Sequence, residues 1–143
     1  MNLPFFLNVQ ANPTVQDCLI LNEAVNWNNN GRECSRRGDH AAAVACHRRA
    51  LEMKLAQWGD TKATTAISYN ALGEALTQLG RLDEAEYNLK KAIPIAMRLN
   101  PVLDQAGYRE NLAVVYEMKG DLEKAKEIRL SGKPHMLCAW NEV

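Results

Sequence analysis

Three glycine-containing dipeptides recur in step along the chain: Gly38-Asp39, Gly80-Arg81 and Gly120-Asp121, separated by 42 and then 40 residues. Two further sets keep the same spacing, Ala43, Ala85 and Ala125 on one side of the turns and Gly31, Gly73 and Ala113 on the other. Coincidence does not put three registers in step. Self-similarity at a period of about 40 residues marks a stack of supersecondary units, each too small to bury its own apolar face without a neighbour. This constrains the fold more tightly than composition does.

Each unit divides into two amphipathic helices. In the middle unit Ile67, Leu72, Leu76 and Leu79 carry the first helix, and Leu82, Ala85, Leu89, Ala92 and Ile93 carry the second. Steps of three, four and five residues follow a helical stripe and not the alternation of a strand. Gly80 closes the first helix because a left-handed residue costs glycine nothing. Ala85, Ala92 and Gly73 are small where two helices approach closely, the glycine at a cost of about 1 kcal/mol in helix propensity. Asp60-Thr61 and Asn100-Pro101 mark the next starts, through a capping oxygen and a proline suited to a first turn. Pro94 removes one backbone bond to Lys90 and is expected to kink the second helix or end it early.

The expected fold is therefore all-α, an α-solenoid of three antiparallel helix pairs with a short C-terminal tail or capping helix. A loose segment, 1–12, precedes a repeat domain, 13–130, with units at about 13–59, 60–99 and 100–130. The tail, 131–143, holds Met136, Leu137 and Trp140 after the breaker Ser131-Gly132-Lys133-Pro134. A solenoid leaves one apolar flank uncovered at its end. A short helix from Pro134 would cap that flank. The alternative is that the flank meets a second copy, giving a homodimer or a swapped helix.

The pattern resembles the tetratricopeptide repeat, with its Trp-x2-Leu-Gly-x2-Tyr first helix and Ala-x3-Phe second helix. The first unit supplies Trp27, Gly31, Gly38, Ala43, His47 and Ala50. The middle unit supplies Tyr69, Leu72, Gly73, Gly80, Ala85, Leu89 and Ala92. The third supplies Leu112, Ala113, Tyr116, Gly120 and Ala125. The third unit then departs, because Arg129 and Gly132 stand where Leu89 and Ala92 stand in the middle one, so its last helix is expected to be short. The usual period is about 34 residues. Periods of 40 and 42 look like the longer repeats of kinesin-light-chain-type proteins. The resemblance implies a right-handed superhelix that binds proteins, although one scaffold serves many partners.

The concave face of such a stack is formed by the first helix of each pair. With Trp27, Gly31, Cys34, Tyr69, Leu72, Gly73 and Leu76 assigned to the core, the exposed inner face takes Asn28, Asn29, Arg32 and Arg36. It continues through Asn70, Glu74, Thr77 and Gln78 to Glu110, Asn111, Val114 and Glu117. This is a polar groove, basic at one end and acidic at the other. Asparagine offers a donor and an acceptor, so it can pair with both backbone groups of an extended peptide. Asn29 and Asn111 match the slot where related repeats place an asparagine for that purpose. Asn is a poor helix former, so Asn26, Asn28, Asn29 and Asn30 within five positions are costly without a use. The clamp by which chaperone-binding members hold a C-terminal carboxylate is absent, since Asn28, Gly107 and Asn111 stand at its cationic places. The expected function is a protein–protein interaction module that takes a peptide or partner protein in this groove; the alternative is a self-associating scaffold.

Composition removes other classes. Lys+Arg and Asp+Glu are both 17, giving a formal net charge of zero. A non-specific nucleic-acid binder needs a basic surplus; the cluster of Arg32, Arg36, Arg37, Arg48, Arg49 and Lys54 reads as a solvated helical face. No apolar run is long enough to span a membrane. The start, with Phe5 and Phe6, lacks a secretion signal's charged beginning and long apolar core. Cys18, Cys34, Cys46 and Cys138 include no Cys-x-x-Cys and read as buried or free thiols of a reducing compartment, cytoplasmic or nuclear. His40, His47 and His135 lie far apart, and His135-x2-Cys138 is at most half a zinc site. No phosphate-binding loop, dinucleotide motif or nucleophile elbow occurs. Neither catalytic residues, nor a metal, nor a cofactor is expected.

Overall fold

The computed structural model of the chain describes residues 13–99 and 105–131. Among these it places six helices and no strand: α1 Val15–Arg36, α2 His40–Trp58, α3 Ala63–Gln78, α4 Leu82–Leu99, α5 Gln105–Met118 and α6 Leu122–Ser131. The three turns inside the pairs are built alike. The amide following each glycine donates to the carbonyl five residues back, Asp39 to Cys34, Arg81 to Leu76 and Asp121 to Tyr116, each at 2.9 Å. Gly38, Gly80 and Gly120 hold φ of 83°, 83° and 86°. That is the left-handed close of a helix, which satisfies carbonyls otherwise left without a partner.

The residue after the glycine starts the next helix. Asp39 accepts the Ala42 N–H at 3.0 Å and Asp121 accepts the Lys124 N–H at 3.0 Å. Arg81 has no oxygen to offer and donates instead to Glu84, in the first turn of α4. At α1, Thr14 and Asp17 form a reciprocal capping box, with bonds of 2.8 and 3.0 Å. The expected start at Asp60-Thr61 needs correction. Gly59–Thr61 is a short 3-10 turn, and α3 begins at Ala63 behind Lys62, with no side-chain cap.

Packing follows from the small residues. A Cβ placed on Gly73 would stand 2.6 Å from Leu89 Cγ, so glycine is what lets the fully buried Leu89 seat against α3. Burying that leucine stabilises the unit by about 2 kcal/mol, more than the glycine costs. The apolar core runs unbroken from Ala43 and Val44 through Leu72, Leu76, Leu89 and Ile95 to Leu112, Tyr116 and Ala125. Helices pair as α1/α2, α3/α4 and α5/α6, and successive pairs join through α2 with α3 and α4 with α5. The first helices also touch one another in order, α1 with α3 and α3 with α5, more closely than the second helices do among the described residues. Shorter spacing on one side bends the stack, with α1, α3 and α5 inside.

Pro94 does not end its helix: α4 continues to Leu99, and Ile95 and Ala96 just beyond are buried. Apolar burial holds the segment that lost a backbone bond. Trp27 is half-buried, not fully in the core. Ile67 and Leu79, both expected on the core stripe, are each 38% exposed. In the third unit α6 has 10 residues, and Arg129 turns outward to Glu110 at 2.8 and 2.6 Å and to Glu117. The expectations for Phe5 and Phe6, Asn100-Pro101, the His135/Cys138 pair and the 134–143 cap lie outside the described residues.

Candidate functional site

On the inner face a hollow of about 470 Å³ opens between α1, α3 and α5, lined by Arg32, Ser35, His47, Ile67, Asn70, Ala71, Glu74, Ala75 and Tyr108. Its size is that of a ligand-binding cleft. Of the groove residues read from the sequence, Arg32, Asn70 and Glu74 stand in its wall. Asn111 adjoins it: its Nδ2 donates to Asn70 Oδ1 at 3.0 Å. That bond uses half of each amide. The Asn70 NH2 group and the Asn111 carbonyl oxygen carry no other hydrogen bond among the described residues, so one donor and one acceptor stay available side by side.

The other groove residues divide. Asn29 and Gln78 are exposed but do not line the hollow, and Val114 is half-buried. Arg36 is exposed and spent on Glu33, at 2.9 and 2.7 Å. Glu110 and Glu117 are exposed and engaged by Arg129, which holds both carboxyls below the usual range. Two expectations are corrected. Asn28 is only 6% exposed and Thr77 only 8%. Thr77 can be buried because its hydroxyl donates to the Gly73 carbonyl at 2.8 Å, within its own helix.

Asn28 is buried because it belongs to a polar chain between the first two units. Its Nδ2 donates to Ser68 Oγ at 3.0 Å, and its Oδ1 lies 3.0 Å from His47 Nδ1. With the amide nitrogen committed to Ser68, the oxygen accepts, so Nδ1 carries the ring proton. Lys54 Nζ donates to the same Ser68 Oγ at 2.9 Å and to the Thr64 carbonyl at 3.0 Å. Lys54 is 2% exposed and forms no ion pair with a carboxylate among the described residues. Burial, then the Arg32 charge, lowers its pKa from 10.5 to about 8. Burial, then the charges of Arg32 and Lys54, lowers His47 from 6.5 to about 4. His47 is therefore neutral at pH 7, and its ring forms the floor of the hollow against Gly31.

A second hollow, of about 490 Å³, lies among Arg48, Leu51, Leu55, Tyr69, Leu72, Asp83, Glu84, Tyr87 and Asn88. Its charges are satisfied within the chain, Arg48 by Glu84 at 3.4 Å and Asp83 by Lys119 at 2.6 Å. The inner hollow differs. Arg32 and Glu74 form no hydrogen bond or ion pair among the described residues, though both line it. They occupy the same place in consecutive first helices, 42 residues apart as Gly31 and Gly73 are. No three His, Cys, Asp or Glu side chains gather to hold a metal among the described residues. Nor is any helix among those residues long and apolar enough to cross a membrane. Cys34 and Cys46 are half-buried and Cys18 is exposed, all as free thiols.

Sequence reasoning missed Ser35, His47, Ile67, Ala71, Ala75 and Tyr108 as lining. His47 carried a signal: it fills, opposite Gly31, the slot that Leu89 fills opposite Gly73, and an imidazole there has to find a polar partner.

Known proteins agree with this architecture. A family model described as tetratricopeptide repeat matches residues 22–98. The chain is 28% identical over 114 residues to Protein KINESIN LIGHT CHAIN-RELATED 1 of Arabidopsis thaliana, a match covering 78% of this chain and 19% of the relative. It thus spans about a fifth of the length of that curated relative. Among solved structures it is similar to the TPR domain of Arabidopsis FLU, with a TM-score of 0.71 at 20% identity over 83% of this chain and 98% of the other. It is also similar to BtubC (BKLC) from P. vanneervenii, with a TM-score of 0.72 at 24% identity over 90% of this chain and 52% of the other. At those identities the two structures establish the fold alone.

Proposed function

Because the chain belongs to the tetratricopeptide repeat family, we propose that it is a protein-interaction module whose inner groove receives an extended segment of a partner protein. The observation that supports this reading is the inner hollow itself. It combines an uncommitted donor on Asn70, an uncommitted acceptor on Asn111, and two charges without partners among the described residues, beside the apolar Ile67, Ala71 and Ala75. An extended backbone presents alternating N–H and C=O groups, which the Asn70–Asn111 pair can satisfy whatever the side chains are. The apolar side chains remove part of the segment from water, and the charges select among sequences. Catalysis is not the favoured reading, since the neutral His47 is fixed in a structural chain by Asn28, itself held by Ser68.

The test is a double variant, Asn70→Ala with Asn111→Ala, against an outer-face control, Arg49→Ala with Glu52→Ala. A partner captured by the parent chain from native extract and identified by mass spectrometry should be lost from the groove variant at unchanged helicity, and kept by the control. Retention by the groove variant with loss from the control would move the docking surface to the outer helices.

A further inference from the structure

The inner groove carries opposite charges at equivalent positions of neighbouring units, and neither charge is satisfied within the chain. Arg32 on α1 and Glu74 on α3 both border the same hollow and share no ion pair. They are the two charged side chains among the hollow's described lining, and Glu33, next to Arg32 in the chain, is held by Arg36 and Arg37. Arg32 and Glu74 stand at equivalent positions of α1 and α3, successive first helices that touch each other. A polyproline-II strand repeats its facing direction every third residue and advances about 9 Å in doing so. Such a step is of the order of the distance between the axes of neighbouring helices, about 8–10 Å.

We infer that the groove selects a bipolar segment, an extended stretch of partner with an acidic and a basic side chain three residues apart, the acid on Arg32 and the base on Glu74. The inference rests on the groove reading and adds the charge pairing of the ligand. Ile67 and Ala71 line the same hollow, so the residues that accompany the two charges have to be small or apolar. The floor adds no competing anion: His47 is neutral, and Lys54 beneath it reinforces the positive end. A segment with two acids would set one against Glu74, and a segment with two bases would set one against Arg32. Because the segment can run in either direction, it is the pairing of signs, and not their order along the peptide, that is read.

The experiment titrates the full chain with blocked seven-residue peptides of proline and alanine. These carry Asp and Lys three residues apart, two Asp, two Lys, or two Gln, and binding is read from amide chemical shifts. For the parent, the Asp/Lys peptide should bind roughly threefold to tenfold more tightly than the others, an advantage that fades in high salt. Arg32→Glu should transfer the preference to the two-Lys peptide, and Glu74→Arg to the two-Asp peptide. Both side chains are exposed and unpartnered, so either exchange leaves the fold intact, and each decides the question alone. Equal binding of all four peptides, or a preference that neither exchange moves, overturns the charge reading and leaves the groove standing. If none of the peptides shifts the amides around Asn70 and Ala71, both readings fall.

Discussion

Replacing His47 with leucine, the residue that fills the same slot in the middle unit, should change how stability depends on pH. The His47 ring is 3% exposed, and its pKa falls from 6.5 in the open chain to about 4 in the fold. From pH 6.5 down to 4 the unfolded chain therefore binds a proton that the folded chain does not. The contribution of the neutral ring is complete above pH 6.5 and is lost as pH falls toward 4. Over that window the loss approaches about 3 kcal/mol, because each tenfold change in proton affinity is worth about 1.4 kcal/mol. The charged groups facing the ring are Arg32 from α1 and Lys54 from its own helix, both cations, so nothing nearby offsets the penalty. Carboxylates such as Glu86, held at about 2, also weaken the fold in acid, but equally in both chains. Urea unfolding followed by circular dichroism at pH 7.5, 5.5 and 4 isolates the histidine, because the difference between parent and His47→Leu cancels what they share. At pH 7.5 the variant should be less stable by about 1–3 kcal/mol, since Asn28 Oδ1 loses its donor. By pH 4 the gap should have closed or reversed. A difference that stays constant across the three pH values would refute the buried neutral imidazole.

Lys54 gives the alkaline counterpart. Its pKa in the fold is about 8 against 10.5 in the open chain, so the parent should gain about 3 kcal/mol between pH 8 and 10.5, a rise that Lys54→Met should lack in the same unfolding assay. Two glycines should behave oppositely when changed to alanine. Gly73→Ala drives a Cβ to 2.6 Å from Leu89 Cγ and should cost about 1–3 kcal/mol, whereas a Cβ on Gly107 meets nothing within 4 Å and Gly107→Ala should stabilise α5 by about 0.5–1 kcal/mol, both read as shifts in thermal midpoint. Gly80→Ala places a side chain at φ 83° in a turn that only glycine enters without strain, and should destabilise by about 1 kcal/mol with the pairing of α3 and α4 loosened in amide exchange.

What could be read from the residues followed the repeat. Gly38, Gly80 and Gly120 announced three identical turns, and the facing pair of Gly73 and Leu89 announced how the helices nest. The misplacements share one cause. A single apolar stripe assigns each helix one neighbour, but a first helix packs on its own partner and also touches the first helix of the next unit. Asn28 lies on that second boundary, so it is buried against Ser68 and His47, although its place on the helical wheel looked open to water. Ile67 errs in the other direction: apolar at core spacing, it faces the hollow, where the stack curves away from it. The chain His47–Asn28–Ser68–Lys54 was illegible for a different reason. The repeat predicts an apolar residue in the slots of His47 and Lys54, since Leu89 and Ala96 occupy them one unit later. Only the folded arrangement reveals that the polar groups that replaced them satisfy one another. Arg129 was visible as a departure from Leu89, but its pairing with Glu110 and Glu117 required knowing that the last unit has no successor among the described residues.

The central claim is that the inner helices, and not the outer ones, meet the partner. Backbone amide shifts of the chain, recorded with and without a segment of its captured partner, test it directly. The perturbed amides should cluster on α1, α3 and α5 around Arg32, Asn70 and Tyr108. Perturbations confined to α2 and α4, around Arg49 and Tyr87, would contradict it.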